Sequence, residues 1–465
     1  MMRQSTGGRV GVALAAWWLA TMGIASAQSE DATPIPAASP VPNESPTPEE
    51  SPAMTPDPEG DEPRDLGAEL DALRSEVERL RESVEKDAEI SDGEPRRTGL
   101  RSGDLSARAP GRLRFGGVGT AGAVLAEKED AQFVLPRSAL FLFAPIGDRV
   151  SFGGEVTLLG GGAELVDADR GMPGRSDVFL QYGAVDLVLV PDLLVLRGGL
   201  VAVPVGRTNL ASDESVEDLL SRPVHALYLV PTPWSDVGGG ILGGAYLGRT
   251  RVEWQGYLLS GPSAGIDTRT GFRGARQAPG TDRNADKALA GRITVSPFDA
   301  LEVAISGYSG AYSPGGGQRA TIGAVDLGLD AGPILLEAEA VVARTDGGTG
   351  TLGFPVPETL FGGSSRITWR FLPEVLGAVL PPALQGSSIG VSMRYSFVDT
   401  DADDPDETPG ATDPGAYTRR DRLSLGLSFR PVPRCVLRAE VEYRTEAESD
   451  LVDDDRAVFS ASAAF

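Results

Sequence analysis

From Arg112 to Phe465 the chain alternates apolar and polar residues with a period of two. RLSLGLSFR, Arg422 to Arg430, sets Leu423, Leu425, Leu427 and Phe429 on one face against Arg422, Ser424, Gly426, Ser428 and Arg430. SIGVSMRYSF sets Ile389, Val391, Met393, Tyr395 and Phe397 against Arg394 and small polar neighbours. Side chains of a strand point alternately to opposite faces, so each segment reads as a β-strand with one greasy and one wet side. About sixteen segments follow this pattern, at 112–124, 131–143, 148–160, 176–189, 193–205, 236–247, 250–260, 287–296, 300–310, 319–329, 333–344, 364–371, 387–398, 420–430, 434–445 and 456–465. Their glycine content, within 59 glycines of 465 residues, is unusual for an enzyme of this length and ordinary for such strands.

The connections sort by parity. Even-numbered ones are tight (APIG, VPD, LGR, SPFD, DAGP, RPVP), while odd-numbered ones are mostly long and polar: 161–175, 206–235, 261–286, 345–363, 399–419 and 446–455. One end with tight turns and one with long loops is the pattern of an outer-membrane barrel, and a soluble sandwich has no reason to show it. The stretch Leu372 to Gly386 departs from it, being long on the short side. The last segment, RAVFSASAAF, places Ala457, Phe459, Ala461, Ala463 and Phe465 on one face. A chain ending in mid-strand on an aromatic makes sense when that strand closes a cylinder against the first and leaves no edge. The expected fold class is all-β, a transmembrane antiparallel barrel of about 16 strands over 112–465, preceded by a short coiled-coil helix.

Upstream, Arg3 and Arg9 precede the apolar run Val10 to Ala25, and Ala25 to Ala27 have cleavage-site spacing, so 1–27 reads as a secretory signal peptide. Residues 28–65 repeat proline among acids and small polar residues, an extended tether. Over 66–88, Leu66, Leu70, Leu73, Val77, Leu80 and Val84 recur at alternating spacings of four and three, the seam of a coiled coil, and 89–111 is a linker. In this register Glu69 and Glu76 face Arg74 and Arg81 of a neighbouring chain, which suits a parallel pairing; a lone docked amphipathic helix is the alternative. Such a chain is expected in the bacterial outer membrane, in contact with its lipid, with the N-terminal region periplasmic.

The formal charge of −24 is uneven: residues 28–111 carry −12, and of the −14 that remains after Arg112, Asp399 to Asp413 holds −7 and Glu446 to Asp455 holds −6. The acidic balance argues against nucleic acid. A single cysteine, Cys435, excludes an internal disulfide and a thiolate metal cluster. His225 is the only histidine, so any His-based triad or metal site would have to use it, and a packed or solvated loop residue is the plainer reading. The aspartates of 399–413 lack the ligand spacing of an EF-hand and read as a solvated loop, with loose binding of Ca²⁺ or Mg²⁺ as the alternative. No catalytic residue, cofactor or metal site is expected.

If apolar faces meet lipid, the opposite faces line a lumen. They carry Arg366, Arg370, Arg394, Arg422, Arg430, Arg438, Arg444 and Arg456 on the later strands, and Glu253, Glu302, Asp326, Glu337 and Glu339 on the middle ones, with Glu440 and Glu442 near the end. Such a wall either filters solutes by its field or pairs across neighbouring strands and holds itself together. The third loop, GRTNLASDESVEDLLSRPVHALYLVPTPWS, is too long and apolar to stand in solvent, and a barrel of this size can hold it inside. It is expected to constrict the passage, with Arg207, Asp213, Glu214, Glu217, Asp218, Arg222 and His225 as candidates to face it; an outer lid on a neighbouring subunit is the alternative.

LRGGLVAVPVGRTNL (Leu196 to Leu210), SRPVHALYLVPTPWSDVGGGILG (Ser221 to Gly243) and GRITVSPF (Gly291 to Phe298) resemble segments of the phosphate-selective porin O/P family. The resemblance covers roughly 112–465 and implies a trimeric sixteen-stranded outer-membrane porin. Val at a with Leu at d nominally favours dimers, so the subunit number stays open between the two readings. The family's phosphate selectivity does not carry over, because only Lys128 and Lys287 follow Arg112. The expected function is passive diffusion of small hydrophilic or charged solutes through a loop-constricted, charge-lined barrel; the alternatives are a structural anchor tethering the envelope through the coiled coil, and a barrel enzyme using His225.

Overall fold

The computed structural model describes residues 113–126, 130–160, 177–211, 215–276, 287–313, 315–349, 355–373, 380, 381, 384, 386–403, 418–446 and 455–465. The signal peptide, tether, coiled coil and linker lie outside the described residues, as do Asp213, Glu214 and most of the two acidic loops. The strands are β1 (Arg114–Ala126), β2 (Gln132–Pro145), β3 (Val150–Leu159), β4 (Asp177–Val190), β5 (Leu194–Ala202) and β6 (Ser235–Leu247). They continue as β7 (Thr250–Leu259), β8 (Ala288–Phe298), β9 (Leu301–Ala311), β10 (Arg319–Ala331), β11 (Ile334–Thr345) and the two-residue β12 (Gly348–Thr349) and β13 (Pro355–Val356). The remainder are β14 (Thr359–Phe371), β15 (Ser388–Asp399), β16 (Arg419–Val432), β17 (Cys435–Glu446) and β18 (Arg456–Ala464).

Apart from the hairpin β12/β13, the strands pair antiparallel in chain order and close into one barrel of sixteen. Closure is made by β18 on β1, from Val118↔Ala464 to Ala126↔Arg456, with backbone hydrogen bonds between Gly117 and Phe465 beyond the last pair. Every expected strand is present. Two boundaries differ by more than two residues. β5 stops at Ala202 because the chain turns inward at Val203–Val205, where Pro204 has no N–H for a ladder. β14 begins at Thr359, ahead of the expected start at 364. A Cβ at Gly362 would stand 2.9 Å from the His225 Cβ, so that glycine is a notch in a strand and not a loop.

The alternation sorts the faces as the period of two requires. On β15 and β16, Met393 and Leu427 point outward and are 51% and 54% exposed, while inward Arg394 and Ser424 are 4% and 0% exposed. The outward belt is bounded by aromatics at both ends. At the short-turn end Phe115 meets Phe465 (6.2 Å between ring centroids) and Trp369 stacks on Phe371 (4.3 Å). At the long-loop end Phe361 meets Phe397 (5.9 Å), and Phe133 and Tyr443 are exposed. No helix among the described residues is long and apolar enough to cross a membrane; the strands are dressed for lipid instead.

The interior holds the second surprise of the loops. Residues 261–276, expected as a polar outer loop, fold back into the barrel with Ile266, Phe272 and Ala275 buried. Phe272 N–H donates to the Tyr228 carbonyl (2.7 Å). The physical reason lies in GIDTRTGFRGA, whose two large apolar side chains join the buried cluster formed by the third loop and the inner wall.

Replacing outward Leu427 by Arg should lower the unfolding free energy by about 2–4 kcal/mol, the cost of a cation in the middle of a lipid-facing strand. Urea titration of the protein folded into phospholipid vesicles would show it.

Candidate functional site

The third loop, 203–234, runs from β5 into the lumen and back to β6. Its neck is stapled by Asn209, whose amide donates to the carbonyls of Val203 (2.7 Å) and Trp234 (3.0 Å) while its Oδ1 accepts from Trp234 N–H (2.7 Å). Gly206 has φ +70°, and a Cβ there would stand 2.4 Å from Glu339 Oε1, so only glycine lets the backbone pass the wall at this point. Val203, Val205, Val224, Leu229, Val230 and Trp234 join a buried apolar cluster with inward residues at the long-loop ends of β7 to β15. Trp234 packs on Tyr308 with ring centroids 4.8 Å apart. On the far side Leu220 reaches Leu159 of β3 and Val458 of β18, so the loop spans the barrel.

The charged wall residues meet this loop in two groups. The acidic strands hold its first arm and its helix. Arg207 donates to Glu302 (2.8 Å) and Glu337 (3.1 Å), and Thr208 donates twice to Glu339, through N–H (2.8 Å) and hydroxyl (3.0 Å). Within the short helix α1 (His225–Tyr228), fully buried His225 places Nε2 3.0 Å from Glu339 Oε1. Burial works against the Arg207 cation, yet Glu337 and Glu302 beside it hold its pKa above the ordinary guanidinium range.

The arginine strands hold the second arm. Arg430 donates to the carbonyls of Ser215 (2.6 Å), Val216 (2.6 Å) and Glu217 (2.9 Å) and to the Asp218 carboxylate (3.1 Å). Arg438 donates to the Glu217 carbonyl (2.9 Å), Arg366 pairs with Glu217 and Glu337, and Arg370 pairs with Asp218. Arg394 donates to the Ser221 carbonyl (2.6 Å) and hydroxyl (2.7 Å), and Glu440 accepts from the N–H groups of Leu220 (2.9 Å) and Ser221 (3.2 Å).

The remaining candidates lie elsewhere. Asp326 is gripped by Arg292 of β8 (2.6 and 2.7 Å), which reaches past β9 at Ala304 and Ser306. Glu253 pairs with Arg251 near the short turn 248–249. Arg222 donates to the carbonyls of Thr208 and Ala211 within the loop, both at 3.3 Å. Arg422 and Arg444 face each other in register on β16 and β17, and Glu442 serves both Arg444 (3.1 Å) and Arg456. Above them Arg420 lies 4.6 Å over the Tyr228 ring. Burial raises the Tyr228 phenol, but Arg420, Arg422 and Arg273 outweigh it and hold the group below its usual pKa.

Sequence reasoning weighed two roles for the wall charges, a bare lining and cross-strand pairs. Cross-strand pairs occur, as between Arg366 and Glu337 and between Arg456 and Glu442, but a third use dominates: attachment of the loop. Missed altogether were Arg137–Glu155, Arg197–Asp186 and Arg292, which parity alone places inward, and Asn209, whose role needs the two ends of the loop side by side. Inward Gly390 and Gly426 were also missed; a Cβ at Gly426 would stand 2.2 Å from Leu219 Cδ2, so the position is a socket. Between the arms of the loop and strands β11, β14 and β15 lies a small cleft, walled by Arg207, Glu217, Arg222, Glu337, Glu339 and Arg366.

No protein-family model matches the chain, and no curated protein matches it. Its fold is similar to that of solved outer-membrane proteins. The Salmonella typhi OmpF complex with daunomycin is 13% identical, with a TM-score of 0.47 over 76% of this chain and 97% of that one. An anion-selective porin from Comamonas acidovorans is 10% identical, with a TM-score of 0.45 over 76% and 99%. Pseudomonas putida OprB at high pH is 11% identical, with a TM-score of 0.46 over 76% and 94%. Likeness at this level adds nothing to what the barrel itself establishes.

Asn209→Ala removes three hydrogen bonds and leaves the buried Trp234 N–H unpaired, a loss of about 1–3 kcal/mol per orphaned group. The expected outcome is a folded barrel whose third loop is cut by protease within 203–234 at a rate the parent protein does not show.

Proposed function

We propose that the chain is an outer-membrane porin, a passive diffusion channel for small hydrophilic or charged solutes, with the loop 203–234 as its constriction. One observation carries the reading: a closed barrel, apolar outside and charged inside, holds a long loop across its own lumen. A barrel that served only as an anchor would gain nothing from so extensive an internal attachment. In this reading Arg422, Arg444 and Arg456, on strands β16 to β18, face the passage. The chain's segments similar to the phosphate-selective porin O/P family point the same way, and the heptads of 66–88 supply the contact for a homotrimer whose N-terminal region extends into the periplasm. Charge on such a wall sets ion preference through its field, strongest where water is scarce.

Purified protein inserted in a planar lipid bilayer should give stepwise conductance, and insertion without steps rejects the channel. In a salt gradient Arg422→Ala should move the reversal potential toward cations, since a positive charge leaves the wall while its neighbours Arg444 and Arg456 keep Glu442 paired. An unmoved potential removes this arginine sector from the passage.

A further inference from the structure

At the long-loop end of β9 to β14 one outward row of side chains is polar, above a belt that is otherwise apolar. Ser309, Thr321, Arg344 and Thr359 follow one another in register across β9, β10, β11 and β14. All four point to the lipid side, because their strand neighbours Tyr308, Ile322, Ala343 and Leu360 are the buried, inward ones. Arg319 precedes Thr321 by two residues on the same face of β10, which sets it diagonal to Arg344, roughly 7–8 Å away. Both arginines are exposed. The hydroxyls of Ser309 and Thr321 share a hydrogen bond (3.2 Å), and Arg319 donates to Ser309 (3.4 Å). Two acids stand at the same rim: Asp346 accepts the Arg319 backbone N–H (2.7 Å), and Glu358 lies against Gly347. Neither forms an ion pair with Arg319 or Arg344, and among the described residues no other acid does. Another outward arginine at this end shows the contrast, since Arg419 on β16 donates to Asp421 (3.2 Å).

We infer that this row is a binding site for the phosphorylated headgroup of an outer-leaflet lipid. The long loops of such a barrel face outside, so the row lies where outer-leaflet headgroups meet their acyl chains. At that height an arginine lays its stem along the apolar face and presents a fork of donors that matches phosphate oxygens. Thr321 and Thr359, on either side of Arg344, add hydroxyl donors to the same row. One phosphate shared by Arg319 and Arg344 also offsets the repulsion between two like charges held this close. The wall below suits the rest of a lipid. Gly307 and Gly323 face each other in register, bordered by Ile305 and Val342, which are 60% and 47% exposed. A Cβ at these glycines would stand 3.7 and 3.9 Å from its nearest neighbour, so no contact within the protein calls for glycine there, and an acyl chain beneath the headgroup can lie on bare backbone. A free phosphate would draw nothing from that apolar ground. The site requires the barrel to stand in a membrane and is independent of conduction.

Native mass spectrometry of the full chain, released from detergent micelles doped with equal amounts of phosphatidic acid and phosphatidylcholine, tests the assignment. The parent should retain phosphatidic acid and shed phosphatidylcholine. Each arginine beside an anionic headgroup changes affinity about fivefold, so Arg319→Gln/Arg344→Gln should hold phosphatidic acid about thirtyfold more weakly. Arg419→Gln, at the same end but outside the row, should retain it as the parent does. Strand content by circular dichroism identifies folded variants. Equal retention of the two lipids by the parent overturns the site, as does equal retention of phosphatidic acid by the parent and the double variant. A loss with Arg419→Gln as large as with the double variant overturns its placement in this row. Displacement of phosphatidic acid by inorganic phosphate at equal concentration overturns the lipid as the ligand.

Discussion

Everything inside this barrel depends on the ladder of backbone hydrogen bonds being continuous around it. In hydrocarbon an unpaired N–H or C=O costs several kcal/mol, so a sheet in a membrane has to close on itself. The pairing of β18 with β1 achieves this, and the Gly117–Phe465 bonds extend it to the final residue. Closure then forces an inside and an outside on every strand. The outside is settled by lipid. The inside is a space sixteen strands wide that the chain has to fill or leave wet.

The chain fills much of it with its own third loop, and the physics of that filling is divided. Near the long-loop end the loop is held by apolar burial around Val224, Leu229 and Trp234, as in the core of a soluble domain. Deeper in, it is held by charge, and the two wall sectors take opposite arms: Glu302, Glu337 and Glu339 hold Arg207, Thr208 and His225, while Arg366, Arg370, Arg430 and Arg438 hold 215–218. A hydrogen-bonded ion pair in a narrow lumen is strongly directional, so this pattern fixes the orientation of the loop as well as its depth.

The candidate site was legible in the sequence in proportion to how local its signals were. Parity alone placed Arg394, Arg430, Glu337 and Glu339 on the inner face, and the length of the loop 206–235 together with its apolar residues sent it inward. Parity equally marks Arg137, Arg197 and Arg292, which stayed unnoticed because a single inward arginine among aliphatic residues does not stand out from its strand. Asn209, Gly390 and Gly426 carry no local signal of their roles. Asn209 acts only when Val203 and Trp234 lie next to each other, and the glycines matter only because Asp218 and Leu219 arrive against them. The inward folding of 261–276 was missed for the same reason: Ile266 and Phe272 are too few to show a period, yet each requires cover.

By itself the sequence determined strand number, the facing of each strand, the sorting of loops between two ends and closure at the last residue. All of these follow from a two-residue repeat and the hydrogen-bonding demand of the backbone, which act over a few neighbours. Only the tertiary structure decided which charge meets which. A guanidinium on β16 and a carboxylate on the third loop are more than two hundred residues apart in the chain, Arg430 and Asp218 being the case in point. Their meeting is set by barrel diameter, loop path and glycine notches together, and none of those can be read from any one segment.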